Sequence, residues 1–214
     1  MPAKVKFCGI MRPEDAAAAA RAGATYLGVV LAGGPRAVTP ECAREVVRAA
    51  ADIPVMGVFG RQPPEQILQI AERAGLGGAQ LHGAYSRAAA ARLRAAGLRV
   101  WRVVRIAAPP DLDSLRDAAP ESDAVLVEPM VGHARGGAGV PLDLAIAREA
   151  RRRLSGHPMA LAGGLTADSV GQALDVVRPD IVDVSSGVER LPGVKDSQKM
   201  ARFLEAVFAH SPVA

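Results

Sequence analysis

Aromatic side chains are scarce: four Phe, two Tyr and one Trp make up 3% of the 214 residues. So few flat platforms leave little for bases to stack on. The arginines, among them Arg44, Arg48, Arg73, Arg92 and Arg94, are spread along helical segments rather than gathered into a basic stripe. No nucleic-acid partner is therefore expected, despite a formal charge of +4. A modest positive excess suits a small anionic substrate instead. Long apolar runs are missing too. No stretch approaches the ~18 apolar residues of a membrane span, and the N-terminus carries no apolar leader, so a soluble cytoplasmic protein with no membrane partner is expected. Cysteine is limited to Cys8 and Cys42. One sits at a strand end and the other in an amphipathic helix, so a disulfide framework is not expected. His, Cys and carboxylates show no metal-ligand spacing, and no Walker or dinucleotide glycine pattern occurs. The expected chemistry uses no cofactor and no metal.

What the chain does have is alternation. Short β-rich apolar runs give way to longer Ala-, Leu- and Arg-rich segments of helical period, again and again along its length. Strands are expected near Val5–Cys8, Tyr26–Leu31, Val55–Phe59, Ala79–His82, Val100–Arg105, Ala124–Val127, Met159–Ala162 and Ile181–Ser185. Helices are expected near Glu14–Ala22, Pro40–Ala51, Pro64–Ala74, Ser86–Ala96, Leu112–Ala118, Leu142–Leu154, Ala167–Val177 and Ser197–Phe208. Prolines at first turns (Pro40, Pro64) and glycines after last turns (Gly23, Gly75, Gly97) mark the boundaries. A chain of this length supports one substantial core, so residues 1–214 read as one domain. The fold class is α/β, a compact (β/α)8 barrel with a closed parallel sheet. An open doubly wound sheet is the rival architecture; the regularity of the units favours closure.

In a barrel the chemistry sits at the C-terminal rim, so the residues just after each strand become candidates. They are Cys8, Arg36, His82, Arg105, Glu128, Gly163-Gly164 and Ser185-Ser186-Gly187. The two glycine loops follow the seventh and eighth strands, where barrels commonly bind phosphate through backbone N–H groups. Cys8 is the candidate nucleophile or base. Period-two alternation puts it on the same face as Lys6, and a buried Lys6 needs a counter-charge. Strand eight neighbours strand one on closure, which makes Asp183 the expected ion-pair partner. A cation at that point would favour the Cys8 thiolate. Glu128 is the candidate proton donor, and Pro129 after it is expected to stop its strand. Arg36, behind the Gly33-Gly34-Pro35 turn, is placed to grip a carboxylate. His82 is open between an orienting role and direct proton transfer. The loop His133–Gly139 is a candidate cover over a ligand. Cys42 and Trp101 are assigned to packing, and Arg151-Arg152-Arg153 to a solvated helix end.

Several motifs together resemble one family. Lys6-Phe7-Cys8-Gly9-Ile10, Arg12-Pro13-Glu14-Asp15, Gly57-Val58-Phe59, Gln80-Leu81-His82-Gly83, Leu161-Ala162-Gly163-Gly164-Leu165, Asp183-Val184-Ser185-Ser186-Gly187-Val188-Glu189 and Pro192-Gly193-Val194-Lys195-Asp196 occur in the order found in phosphoribosylanthranilate isomerases of tryptophan biosynthesis. The resemblance spans nearly the whole chain. It implies an Amadori rearrangement of N-(5-phosphoribosyl)anthranilate, with Cys8 as general base, the carboxyl group after strand six as general acid, Arg36 on the anthranilate carboxylate and the two glycine loops on the phosphate. A monomer or homodimer is expected. Two positions depart from the family: Glu128 stands where aspartate is usual, and Ala138 where threonine or serine is common. The alternative reading is a phosphosugar-binding barrel whose catalysis is weakened by Glu128. A barrel isomerase serving both the tryptophan and histidine pathways is disfavoured by Cys8, because that chemistry relies on paired aspartates.

Overall fold

The computed structural model describes residues 2–130 and 140–210. The strands are β1 (Lys4–Phe7), β2 (Tyr26–Val30), β3 (Val55–Phe59), β4 (Gly78–Leu81), β5 (Arg99–Ile106), β6 (Ala124–Pro129), β7 (Met159–Leu161) and β8 (Ile181–Val184). They pair in parallel, each with the next in sequence. β8 then returns to β1 with Lys6 opposite Asp183, which closes the barrel and removes the open-sheet alternative. The helices are α1 (Pro13–Ala22), α2 (Pro40–Ala49), α3 (Pro64–Ala74), α4 (Arg87–Ala95), α5 (Leu115–Ala118), α6 (Leu144–Arg153), α7 (Ala167–Val177) and α8 (Ser197–Ala209).

Local chemistry explains where the helices start. Proline, whose missing N–H costs nothing in a first turn, opens α1, α2 and α3. Side-chain oxygens of Thr39, Ser86, Asp143 and Asp196 accept the free N–H groups at the starts of α2, α4, α6 and α8. The expected fifth helix is mostly a 3-10 turn, Pro109–Ser114, followed by the single turn of α5. The prolines of Pro109-Pro110 allow the tighter helix but leave little length for an α one.

Two packing layers follow from the period of two in the strands. Val5 and Phe7 of β1, Val125 and Val127 of β6, and Val182 and Val184 of β8 lie in the layer under the helices, where Phe7 meets Phe203 of α8 edge to face at 6.2 Å. The alternate positions fill the barrel: Tyr26, Met56, Trp101, Ala124, Leu126, Ala160 and Ile181. Trp101 is packing, as expected, set edge to face on Tyr26 at 5.0 Å. Gly78 belongs to the same economy of space, since a Cβ there would lie 2.5 Å from Met56 Sδ. Small residues on some strands make room for large ones on others.

Some expectations need correcting. β6 reaches one residue past Glu128, to Pro129, which takes part in the register opposite Ile106 and is the last residue of the strand. Proline can do this because it still offers a carbonyl and its N–H is not required at that position. Cys42 is exposed, on the first turn of α2. Arg152 and Arg153 are exposed, as a solvated helix end implies, and both bond Glu149, whereas Arg151 is half-buried and bonds Asp180 and the carbonyls of Leu154 and His157. After β8 comes a short antiparallel hairpin that the alternation did not announce, β9 (Glu189–Leu191) and β10 (Val194–Lys195), joined by Pro192-Gly193. The loop His133–Gly139 lies outside the described residues. No described helix is long and apolar enough to cross a membrane.

Candidate active site

Cys8 is the first residue beyond β1, and its N–H still bonds the Val184 carbonyl at 2.9 Å, continuing the ladder to β8. That bond keeps the alternation in step, so Lys6 and Cys8 both reach into the barrel. There they meet Gly28 of β2, where a Cβ would stand 3.0 Å from Cys8 Sγ and 3.0 Å from Lys6 Nζ. A side chain at that position would press Lys6 and Cys8 aside by a few tenths of an ångström.

Lys6 is fully buried, and its ammonium donates to Asp183 Oδ1 at 2.8 Å, the ion pair expected from strand adjacency. It also lies 5.7 Å from the centre of the Trp101 ring. Burial alone would lower the Lys6 pKa, but Asp183 and Cys8 outweigh it and hold it above the ordinary value. Asp183 is pushed up by burial, against the pull of Lys6, and nearby Glu128 pushes the same way.

The expectation for Cys8 itself changes sign. Burial pushes the thiol above its ordinary pKa, and the opposing pull of Lys6 does not make up the difference. Desolvation is the largest cause, Lys6 favours the thiolate by charge and hydrogen bond, and the Asp183 charge adds to the rise. A raised pKa leaves less thiolate at rest and makes that thiolate a stronger base.

Across the mouth, Glu128 near the end of β6 occupies an inward position, two residues after the inward Leu126. Its Oε1 lies 2.7 Å from Nε2 of His82, the residue after β4, and both side chains are almost wholly buried. His82 therefore touches the candidate acid directly. Gln80, two residues before it in β4, is also buried, and its Oε1 has no hydrogen-bond partner among the described residues.

The two glycine loops meet. Leu165, just past Gly163-Gly164, puts its carbonyl against Gly187, where a Cβ would come within 2.0 Å of that oxygen. Gly163 has φ +112°, in the region that side chains disfavour, and a Cβ there would lie 2.4 Å from Pro129 Cδ. Neither Gly163 nor Gly164 gives its N–H to a backbone hydrogen bond among the described residues. Ser185 Oγ comes close to Gly9, directly after Cys8, so the second loop borders the thiol.

Arg36 also passes over Gly9, at φ +71°, where a Cβ would stand 2.7 Å from Arg36 Cδ. Its guanidinium does not wait free in the mouth. Nε and Nη2 both donate at 2.7 Å to the carboxylate of Glu189 in β9, a bidentate fork. Lys195 of β10 gives Nζ to the same carboxylate at 2.9 Å and to the Ser185 carbonyl at 3.0 Å. Burial would raise the Glu189 carboxyl, but the bonds from Arg36 and Lys195 outweigh it and hold it below the ordinary value. Glu189 and Lys195 were not among the candidates read from sequence. The signal for them is there: two opposite charges flank Pro192-Gly193, the pattern of a cross-strand pair in a hairpin.

The described residues thus bring Cys8, Lys6 and Asp183 together, and His82 and Glu128 together, on inward positions of one rim, with Arg36 and the second glycine loop beside Gly9. No group of three or more potential metal ligands occurs among them. The family model described as N-(5'phosphoribosyl)anthranilate (PRA) isomerase matches residues 5–206. N-(5'-phosphoribosyl)anthranilate isomerase of Zymomonas mobilis subsp. mobilis is 37% identical over 212 residues, covering 97% of this chain and 99% of that protein. The crystal structure of phosphoribosyl anthranilate isomerase from Thermotoga maritima superposes with a TM-score of 0.87 at 31% identity, over 97% of this chain and 99% of that one. A structure of the isomerase in complex with reduced 1-(o-carboxyphenylamino)-1-deoxyribulose 5-phosphate superposes at 0.85 with 30% identity, over 97% and 99% of the two chains. A cysteine and a carboxyl group facing one barrel mouth, a family model spanning the whole barrel and relatives matched from end to end agree: the chain belongs to the N-(5'-phosphoribosyl)anthranilate isomerase family.

Proposed function

We propose that this chain converts N-(5'-phosphoribosyl)anthranilate to 1-(2-carboxyphenylamino)-1-deoxyribulose 5-phosphate, with Cys8 and Glu128 moving the protons. The observation that carries the assignment of roles is the shared mouth: Cys8 and Glu128 lie on inward positions at the rim, Cys8 beside Lys6 and Glu128 held by His82. A related structure holds reduced 1-(o-carboxyphenylamino)-1-deoxyribulose 5-phosphate, which supports this reading of the ligand.

In this reading the Glu128 carboxyl gives its proton to the ribose ring oxygen. The bond from that oxygen to C1 breaks, and C1 becomes a Schiff base with the anthranilate nitrogen. The Cys8 thiolate removes the proton on C2, and the electron pair moves to make C1=C2, yielding an enolamine. Transfer of the enol proton and protonation of C1 give the ketone. C2 is oxidised and C1 reduced within one molecule, so no external redox partner is needed. His82 holds Glu128 at its working position, the glycine loops hold the phosphate, and the unused edge of Arg36 holds the anthranilate carboxylate. The extra methylene of Glu128 is accommodated because His82 receives the carboxyl where the longer side chain ends.

Turnover is measured by loss of substrate fluorescence. Cys8→Ala should lower kcat by about 10²- to 10⁴-fold while the reduced product analogue still binds. Unchanged kcat would remove Cys8 from the mechanism. Binding of the analogue with no turnover above background in the unaltered protein would favour the binding-only reading.

A further inference from the structure

We propose that Glu189 is a positioning residue that turns Arg36 into a pre-oriented carboxylate receptor and ties it to the phosphate loop through Lys195. The proposal rests on the reading of Arg36 given above and assigns a role to a carboxylate that takes no part in the proton transfers.

An arginine offers five N–H donors in a fixed plane. Here Nε and Nη2 point one edge at Glu189, both at 2.7 Å, which fixes the plane of the guanidinium and leaves its other edge, Nη1 with the second hydrogen of Nη2, turned away from Glu189. Nη1 donates to no hydrogen bond among the described residues. Such an edge can take a second carboxylate bidentately without any rotamer search at the moment of binding.

The hub is itself held rigidly. Lys195 Nζ bridges from Glu189 to both the carbonyl and the hydroxyl of Ser185, at 3.0 and 3.4 Å. The Lys195 N–H bonds Asp15, and Lys199 bonds the Glu189 carbonyl at 2.8 Å. The receptor for the carboxylate and one phosphate loop are thus joined by two side chains. Charge supports the same use: Arg36 and Lys195 against Glu189 leave one positive charge over, which a substrate carboxylate would neutralise.

The experiment compares two ligands in the full chain: the reduced product analogue and the same compound made from aniline, which lacks the ring carboxylate. The ratio of their Kd values reads the receptor alone, because the phosphate and sugar are common to both. Arg36→Ala should collapse this ratio. Glu189→Gln should reduce it by about tenfold to a hundredfold, with the aniline compound binding nearly as before. Glu189→Asp should restore part of it. If Arg36→Ala collapses the ratio and Glu189→Gln leaves it intact in a folded protein, the role of Glu189 is overturned while that of Arg36 stands. If Arg36→Ala itself leaves the ratio intact, the assignment of Arg36 fails, and this proposal with it. Should Glu189→Gln not fold, Glu189→Asp decides: its shorter reach must lower the ratio, and full retention overturns the proposal.

Discussion

Nε2 of His82 and Oε1 of Glu128 lie 2.7 Å apart, a buried contact between the ends of β4 and β6. The imidazole meets the end of the Glu128 side chain and holds its carboxyl in place.

Removing that contact should cost rate more than affinity. His82→Asn should lower kcat by up to about a hundredfold, the scale of a ~1 Å misplacement of a catalytic group, with little change in KM. Glu128→Gln, which keeps the shape and cannot give up a carboxyl proton, should be far worse. Glu128→Asp should stay active, and in that background His82→Asn should cost less, because the shorter side chain no longer depends on the imidazole. Steady-state kinetics on the double-mutant cycle checks this; strictly additive effects would separate the two residues.

Cys8 should titrate late. Burial disfavours its charged form, so its pKa is raised, and thiolate appears only as the pH climbs past the ordinary thiol value of about 8.5. Alkylation by iodoacetamide follows thiolate and should keep rising above that pH. The exposed Cys42 is replaced by serine so that mass spectrometry reads Cys8 alone. A midpoint below 8 would show that Lys6 prevails over burial after all.

Lys6 and Asp183 should be worth more as a pair than either is alone. Lys6→Met leaves a buried carboxylate without its cation and should destabilise the fold by about 3–5 kcal/mol. The double variant Lys6→Met with Asp183→Asn removes both charges and should recover much of that loss. Urea denaturation at neutral pH measures both. Equal stability of the single and double variants would mean that the ion pair is not coupled.

Gly163→Ala should weaken phosphate binding selectively. The new Cβ would be forced onto Pro129, 2.4 Å away, and the backbone would leave φ +112° to avoid it, turning the Gly163 and Gly164 N–H groups. KM should rise at least about tenfold, with kcat at saturation less affected. Competitive inhibition by inorganic phosphate should weaken in parallel; unchanged inhibition would place the phosphate elsewhere.

Much of this molecule was readable from its letters because the controlling effects are local. Strand and helix periods, proline at first turns and glycine after last ones depend only on near neighbours, and repeated around the chain they allow few arrangements other than a closed barrel. Closure then fixed one long-range fact in advance: with strand one beside strand eight, Lys6 had to find Asp183. Other features needed the three-dimensional arrangement. Burial outweighs the pull of Lys6 on Cys8 because desolvation depends on everything packed around the sulfur, which no spacing encodes. His82 meets Glu128, and Glu189 claims one edge of Arg36, because strand tilt and loop paths bring together side chains that lie 46 and 153 residues apart in sequence. The sequence determined which groups are available at the rim; tertiary packing decided which of them touch, and so which are free to meet a substrate.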